Sequence, residues 1–271
     1  LPKPISWGHP SKIEGAGHNV KRVLGTIPVE EDGSAYMELP ALRALMFVML
    51  DEHDRAIKRM RSFITLKPGE VNSCVGCHEQ RTRTVHNPGR ETLLALERGP
   101  SFLERPAALP PDGLLDYQRD VQPLLDQHCV SCHNYKREKS NIVLDGAVEP
   151  SNAQGYRSLQ RMTSLGKGHG NDDPYTVGSG NSGLLKLLDE GHAKVNLSKN
   201  EKELLRLWID AGQRYAATYG AMTPRQEESI GVSDSERDQK RNLTAMIDAR
   251  IFTNRCDDCH GPSKNGARRY V

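Results

Sequence analysis

The stretch that decides the fold runs over residues 116–133 and reads DYQRDVQPLLDQHCVSCH. Its apolar side chains recur at intervals of three and four residues, which predicts an amphipathic helix with one face toward a core. Asp116 stands at the start, where a carboxylate caps a helix N-terminus. The predicted helix leads directly into the pattern C-x-x-C-H at Cys129–His133.

The same pattern occurs three times and uses all six cysteines of the chain. C-x-x-C-H is the attachment signature of haem c. Two thiols at this spacing both reach the vinyl edge of one porphyrin, and the histidine that follows reaches the iron. We therefore predict three covalently attached haem c groups. The predicted attachment residues are Cys74, Cys77, Cys129, Cys132, Cys256 and Cys259, and the predicted iron ligands are His78, His133 and His260.

Three other kinds of site also use cysteine pairs. A zinc site needs four ligands in one cluster, and three separate C-x-x-C pairs are an unusual supply for it. A disulfide framework gives no reason for a histidine after every pair. A thioredoxin-like redox pair would occur once, next to a βαβ unit. The repeated histidine favours haem over all three.

Composition agrees with an interior that is filled partly by a cofactor. Hydrophobic residues make up 36% of the 271 residues and aromatic residues 5%, so the supply for a core is below average. Three porphyrins would supply apolar area. The near balance of 37 basic and 35 acidic residues argues against a nucleic-acid partner, and no apolar run is long enough for a transmembrane segment.

The two ends of the sequence indicate how the chain was processed, and the predicted cofactor indicates where the protein is located. The chain starts at Leu1 without a signal-like segment, and it ends soon after the third motif. These ends indicate a mature, excised or fragmentary chain. Covalent haem attachment occurs outside the cytoplasm, so the predicted location is periplasmic or extracellular.

The predicted fold class is α+β, with a small β-rich, sandwich-like haem unit followed by α-helical, cytochrome c-like haem units. The first unit is residues 1–100, the second is residues 101–220, and residues 221–271 begin a third unit that is incomplete. Within the first unit, an Asp-Gly turn near Asp32 joins two predicted strands at 23–29 and 35–39. Two more are predicted at 45–50 and 56–66, although part of this stretch also fits a helix.

Turn and cap signals outline the remainder of the chain. A proline-rich linker is predicted over residues 87–116. Ser182 is predicted to cap a short helix, and Ser198 with Glu201 to form a capping box before an amphipathic helix that Gly212 ends. A further helix over 234–255 would lead into the third motif.

Seven histidines lie outside the motifs, and any of them could be the sixth ligand of a haem iron. His192 is the first candidate, because it lies in a turn between two predicted helices that fold back on the second motif. His53 is most simply a solvent-exposed turn residue. The other distal candidates are His169, His86, His18 and His128.

Two groups of residues resemble a known family. The stretch RVLGTIPVEEDGS at 22–34, with residues 60–63 and 68–79, resembles the central region of proteins similar to the hydrazine synthase alpha subunit. So does the stretch at 116–133, which also resembles planctomycete-type cytochrome c domains, as do residues 174–179 and 208–210. The resemblance implies a multihaem c-type cytochrome and a distal role for His192. The β-propeller of larger family members is not in this sequence, and hydrazine formation is not carried over.

The predicted function is electron transfer by a tri-haem c-type cytochrome, rather than stand-alone catalysis. One alternative is a subunit of a multihaem redox enzyme in which one haem, at Cys74, is open and acts on a small nitrogen or oxygen compound. Another is a subunit of a larger haem assembly or filament. The predicted partners are redox proteins, either other cytochromes or copies of the same chain, in an oligomer or larger complex. No catalytic residue is predicted.

Overall fold

The computed structural model describes the central part of the chain, and its residue ranges are 21–60, 62–74, 92–136, 142–146, 148–149, 152–163, 165 and 172–217. The chain divides into two compact units, Leu1–Ala221 and Met222–Val271. All described residues belong to the first unit. None of their helices is long and apolar enough to cross a bilayer.

The regular elements of this unit are short and are joined by irregular chain. In order they are strands β1 (Val48–Leu50) and β2 (Ala56–Arg59), helix α1 (Leu94–Arg98), a π-helical turn (Tyr117–Val121), helix α2 (Gln122–His128), strands β3 (Val148–Glu149) and β4 (Asn152–Ala153), and helices α3 (Gln154–Gln160), α4 (Gly183–Asp189) and α5 (Lys199–Asp210), with 3-10 turns at Gly178–Asn181 and His192–Lys194. The described chain contains two two-stranded antiparallel sheets, β1–β2 and β3–β4. This mixture agrees with the predicted α+β class.

The hairpin of β1 and β2 is the regular part of the predicted β-rich unit. Val48 pairs with Arg59, and the register shifts once, after Met49. Asp51 closes the turn because its carboxylate accepts the backbone N–H of Arg55 at 2.8 Å. The prediction of strands within 45–50 and 56–66 is confirmed for the residues that pair.

The other predicted hairpin was wrong in its pairing. The turn forms, and the backbone N–H of Glu30 donates to the carbonyl of Ser34 at 2.8 Å. The flanking segments are not strands, however: Thr26 bridges to Glu104 and Met37 to Ser101. The proline-rich segment, predicted to be a linker, is extended at these positions and takes up the backbone hydrogen bonds that the two segments would have exchanged. Among its described residues, the predicted β-rich unit (residues 1–100) therefore has one hairpin within largely irregular chain and is not a sandwich.

The helical part carries the caps that the sequence predicted. The Asp116 carboxylate accepts from two backbone N–H groups of the first turn. Ser182 caps α4, and Ser198 with Glu201 forms the reciprocal capping box of α5. Gly212 follows α5 with a φ of +102°, which suits a glycine at the position after a helix. These caps depend on neighbouring residues alone, so local sequence was sufficient to predict them.

Four buried aromatic rings form the centre of the helical part. Tyr117, Tyr156, Trp208 and Tyr215 are each at most 1% exposed, and the centroids of their contacting rings lie 5.0–6.2 Å apart. Tyr156 comes from α3, a helix that the sequence analysis did not predict. The rings bring the π-helical turn before α2, helix α3 and helix α5 around one core.

A buried carboxylate joins the hairpin to the helical part. The Asp210 carboxylate accepts the backbone N–H and the hydroxyl of Ser179, both at 2.7 Å, and that hydroxyl accepts the backbone N–H of Ala56 at 2.8 Å. Burial raises the pKa of Asp210, because desolvation disfavours its charged form. A Cβ on Gly180 would lie 2.1 Å from the Ala56 carbonyl oxygen. Only glycine at position 180 therefore allows the two backbones to approach this closely.

Lys21 lies in a cationic environment, and this leads to a prediction about pH. Burial and the charges of Arg59 and Arg214 lower the pKa of Lys21 to about 7. The unfolded chain, with an ordinary lysine pKa near 10.4, then binds more protons than the folded chain between about pH 7 and pH 10. The Lys21 contribution to stability therefore rises with pH across this window.

We expect the free energy of unfolding of Lys21→Met relative to that of wild type to fall as the pH rises from 6 toward 10, because the lowered pKa of Lys21 makes wild type more stable with rising pH. Urea unfolding of both proteins at several pH values measures this difference. Because all other titrating groups are common to the two proteins, a difference that stays constant with pH would contradict the prediction.

Candidate functional site

The second C-x-x-C-H motif continues the C-terminal end of α2 as a tight turn. The backbone N–H of Cys129 donates to Leu125 at 2.8 Å, and those of Cys132 and His133 donate to the carbonyl of Cys129 at 3.0 and 2.9 Å. The two cysteines and the histidine are therefore presented by one rigid segment. This is the local geometry that attachment of one porphyrin by two thioethers requires.

The ring of His133 is oriented by the chain that follows the motif. Its Nδ1 lies 3.2 Å from the carbonyl oxygen of Ile142. Since a carbonyl only accepts, this contact assigns the proton to Nδ1 and leaves Nε2 with a lone pair. A metal-ligating histidine commonly has such a second contact, which sets its tautomer and its orientation. The contribution of Ile142 was missed by sequence reasoning, because a backbone carbonyl carries no sequence signal.

The imidazole ring of His192 lies near that of His133. The centroids of the two imidazole rings are 6.0 Å apart and their planes are inclined by 30°. His192 is exposed and lies in the turn between α4 and α5. The structure thus brings together the motif histidine and the first distal candidate of the sequence analysis.

The separation of these rings fits two axial ligands of one iron. Two metal–nitrogen bonds of about 2 Å, with about 1 Å from each nitrogen to its ring centre, put the two centroids about 6 Å apart. The types of donor, two thiols of the motif and two imidazoles, are those that haem c uses. The residues present therefore fit the group that the motif implies.

The two thiols differ in their surroundings. Cys132 is exposed, whereas Cys129 is partly buried and packs against the core. Burial, and to a smaller extent the neighbouring Cys132, raises the pKa of the Cys129 thiol. A thioether is uncharged, so attachment at Cys129 would place no charge in this partly buried position.

His128 has a different partner. Its Nε2 lies 2.9 Å from Oε1 of Glu201, which joins the end of α2 to the first turn of α5. The pKa of Glu201 is lowered, first by its hydrogen bonds with Ser198 and then by the one with His128. The structure therefore places the distal candidate His128 in a hydrogen bond between two helices.

The remaining predicted site residues are only partly described. Cys74 is exposed, and the side chain of His53 is 78% exposed, as expected for a turn residue. Within the described ranges, no group of three or more His, Cys, Asp or Glu side chains has the arrangement of a metal site. The predicted residues that lie outside those ranges are Cys77, His78, Cys256, Cys259, His260, His169, His86 and His18.

Comparison with known proteins relates part of the chain to one family. The hydrazine synthase alpha subunit middle domain matches residues 5–79, a range that contains the first C-x-x-C-H motif. The structure of Kuenenia stuttgartiensis hydrazine synthase superposes with a TM-score of 0.49 and 18% sequence identity, over 70% of this chain and 32% of that chain. This chain therefore spans about a third of that structure's length. No curated protein matches at the level of sequence. The predicted resemblance to hydrazine synthase alpha proteins is confirmed for the matched segment.

Proposed function

We propose that the second motif holds a haem c that relays electrons within a subunit of a multihaem redox enzyme. Cys129 and Cys132 would attach the group, and His133 and His192 would be its two axial ligands. The observation that supports the proposal is the 6.0 Å separation of these two imidazole rings beside the two thiols. Haem c with two imidazole ligands supplies a one-electron Fe(III)/Fe(II) couple at low potential.

The protein's own residues account for the properties that such a relay needs. The turn of the motif and the Ile142 carbonyl hold His133 in one orientation. If His133 and His192 both bound the iron, no position on it would be left open to substrate.

An enzyme subunit is favoured over a stand-alone electron carrier by the match of residues 5–79 to a domain of hydrazine synthase. In this proposal the first motif, within the matched segment, carries the open haem that acts on a small nitrogen or oxygen compound. The third motif carries another relay haem. The protein would lie in the periplasm or outside the cell, in contact with further redox subunits.

Removal of single attachment sites tests the proposal. We expect the wild-type chain to carry three haems, one for each motif, and Cys129→Ser/Cys132→Ser to lose one haem together with a low-spin signal from two histidine ligands. The matched variant Cys74→Ser/Cys77→Ser should lose a haem but keep that signal, and should lose carbon monoxide binding. Pyridine haemochrome assays, mass spectrometry and low-temperature EPR measure these outcomes. A wild-type protein without haem, or with no histidine-pair signal, would refute the proposal.

A further inference from the structure

Asp189 lies at the end of α4, three residues before His192. Its carboxylate contacts two cationic side chains, Arg55 and Lys202, which belong to other elements. Its Oδ2 accepts a hydrogen bond from Nη2 of Arg55, in the turn of the β1–β2 hairpin. Its Oδ1 accepts from Nζ of Lys202, on α5, at 3.3 Å. One carboxylate therefore joins the hairpin, α4 and α5.

The turn that follows has an unfavourable backbone conformation. Gly191 has a φ of +87°, and the non-glycine residues Ala193 and Lys194 have φ values of +50° and +64°. Side-chain-bearing residues adopt this left-handed region only when their surroundings hold them there. His192 lies between these positions, so its location depends on what anchors the two ends of the turn.

Both ends of the turn are anchored. On the C-terminal side, Val195 donates its backbone N–H to the carbonyl of His192 at 2.9 Å and packs against the core, followed by the buried Leu197. On the N-terminal side, the contacts are those of Asp189. Because the short helix α4 ends there, the direction in which the chain enters the turn follows from where this carboxylate is held.

We propose that Asp189, together with Arg55 and Lys202, is a positioning residue for His192. This inference rests on the proposed function, since it assumes that His192 is an axial ligand. It also connects two parts of the chain: Arg55 belongs to the segment that matches the hydrazine synthase alpha middle domain, and His192 serves the second motif. A change in the position of Arg55 in the hairpin would therefore alter how firmly His192 is held as the ligand of the second haem.

Ordinary surface ion pairs contribute little. The side chains of Asp189 and Lys202 are 49% and 39% exposed, and what distinguishes this cluster is its Arg55 partner. The Arg55 side chain is only 19% exposed, its backbone N–H is held by Asp51, and both oxygens of the Asp189 carboxylate are engaged. The same helix provides a contrast. Nζ of Lys186 on α4 and Oε1 of Glu190, the residue after α4, are 4.0 Å apart, and both side chains are largely exposed, so this pair serves as a matched control.

The experiment uses the full-length haem-loaded protein and four variants: Asp189→Asn, Arg55→Gln, Arg55→Lys and, as control, Lys186→Gln. Carbon monoxide binding to the reduced second haem requires His192 to leave the iron, so its rate reports how firmly His192 is held. We expect this rate to increase about 3- to 10-fold in Asp189→Asn, which loses both partly exposed charge pairs, and by a smaller factor in Arg55→Gln, which loses one of them. Arg55→Lys should retain most of the wild-type behaviour, and Lys186→Gln all of it.

Ionic strength provides a second measurement. Salt screens partly exposed charges, so the wild-type rate should rise with added salt toward that of Asp189→Asn, and the rate of Asp189→Asn should change much less. A purely structural role of Asp189 would not produce this convergence. If one variant fails to fold, as judged by circular dichroism, the other variant and the salt dependence of the wild type still decide the question.

The inference and the proposed function fail in different ways. If wild type shows the two-histidine signal but Asp189→Asn and Arg55→Gln bind carbon monoxide at the wild-type rate, the positioning role is refuted and the proposed function stands. If wild type has no two-histidine signal, the proposed function is refuted.

Discussion

Replacement of His192 by alanine in the haem-loaded protein is expected to convert one low-spin haem into a haem that binds carbon monoxide. The ring of His192 lies 6.0 Å from that of His133, centroid to centroid, and its loss leaves the second axial position without a ligand. An open axial position binds small molecules, whereas two histidines exclude them. Carbon monoxide titration and low-temperature EPR should show a change of one haem per chain.

The matched control for this prediction is His128→Ala. His128 was also a distal candidate, but its Nε2 lies 2.9 Å from Glu201, so its removal should leave every haem signal unchanged. The opposite pattern, with an open haem in His128→Ala and none in His192→Ala, would overturn the assignment. His192→Met gives a third measurement, since a methionine ligand raises the reduction potential relative to histidine.

The largest effect on stability is expected from Trp208→Ala. Trp208 is fully buried, its ring lies 5.7 Å from that of Tyr117, and its Nε1 donates to the carbonyl of Arg214 at 2.8 Å. Truncation of a buried tryptophan leaves a cavity and costs about 3–5 kcal/mol. Loss of the Nε1 hydrogen bond to the Arg214 carbonyl adds about 0.5–1.5 kcal/mol. Urea unfolding should therefore show a large fall in the free energy of unfolding.

Two variants separate the causes of this loss. Trp208→Phe keeps most of the ring packing but not the N–H donor, so it should lose less than Trp208→Ala. Tyr135→Ala removes a ring that is 68% exposed and should change the free energy of unfolding by about 0.5 kcal/mol or less. Equal stability of Trp208→Ala and Tyr135→Ala would mean that the four-ring core does not determine the stability of the helical part.

Sequence reasoning succeeded where residues act on near neighbours. The capping box of Ser198 and Glu201, the cap at Asp116 and the turn at Asp51–Arg55 all form as predicted, because each consists of hydrogen bonds over two to four positions. The C-x-x-C-H turn belongs to the same class.

Sequence reasoning was less successful where partners are distant in the chain. The turn at Glu30–Ser34 was predicted, but residues 101–104 took the place of the expected pairing, since two extended segments of suitable backbone competed for one position. Helix α3 was missed, although its Tyr156 lies in the aromatic core.

The sequence alone determined that a thiol pair and a histidine are presented together at the end of a helix, because a single turn of chain is enough for that. It ranked His192 ahead of the other distal candidates, because His192 lies in a turn between two predicted helices, but it did not place any of their side chains beside His133. The tertiary structure decided this: Glu201 on α5 pairs with His128, and the turn after α4 brings His192 to 6.0 Å from His133. Positions that depend on the packing of three helices and a hairpin are set by non-local contacts, which no short stretch of sequence contains.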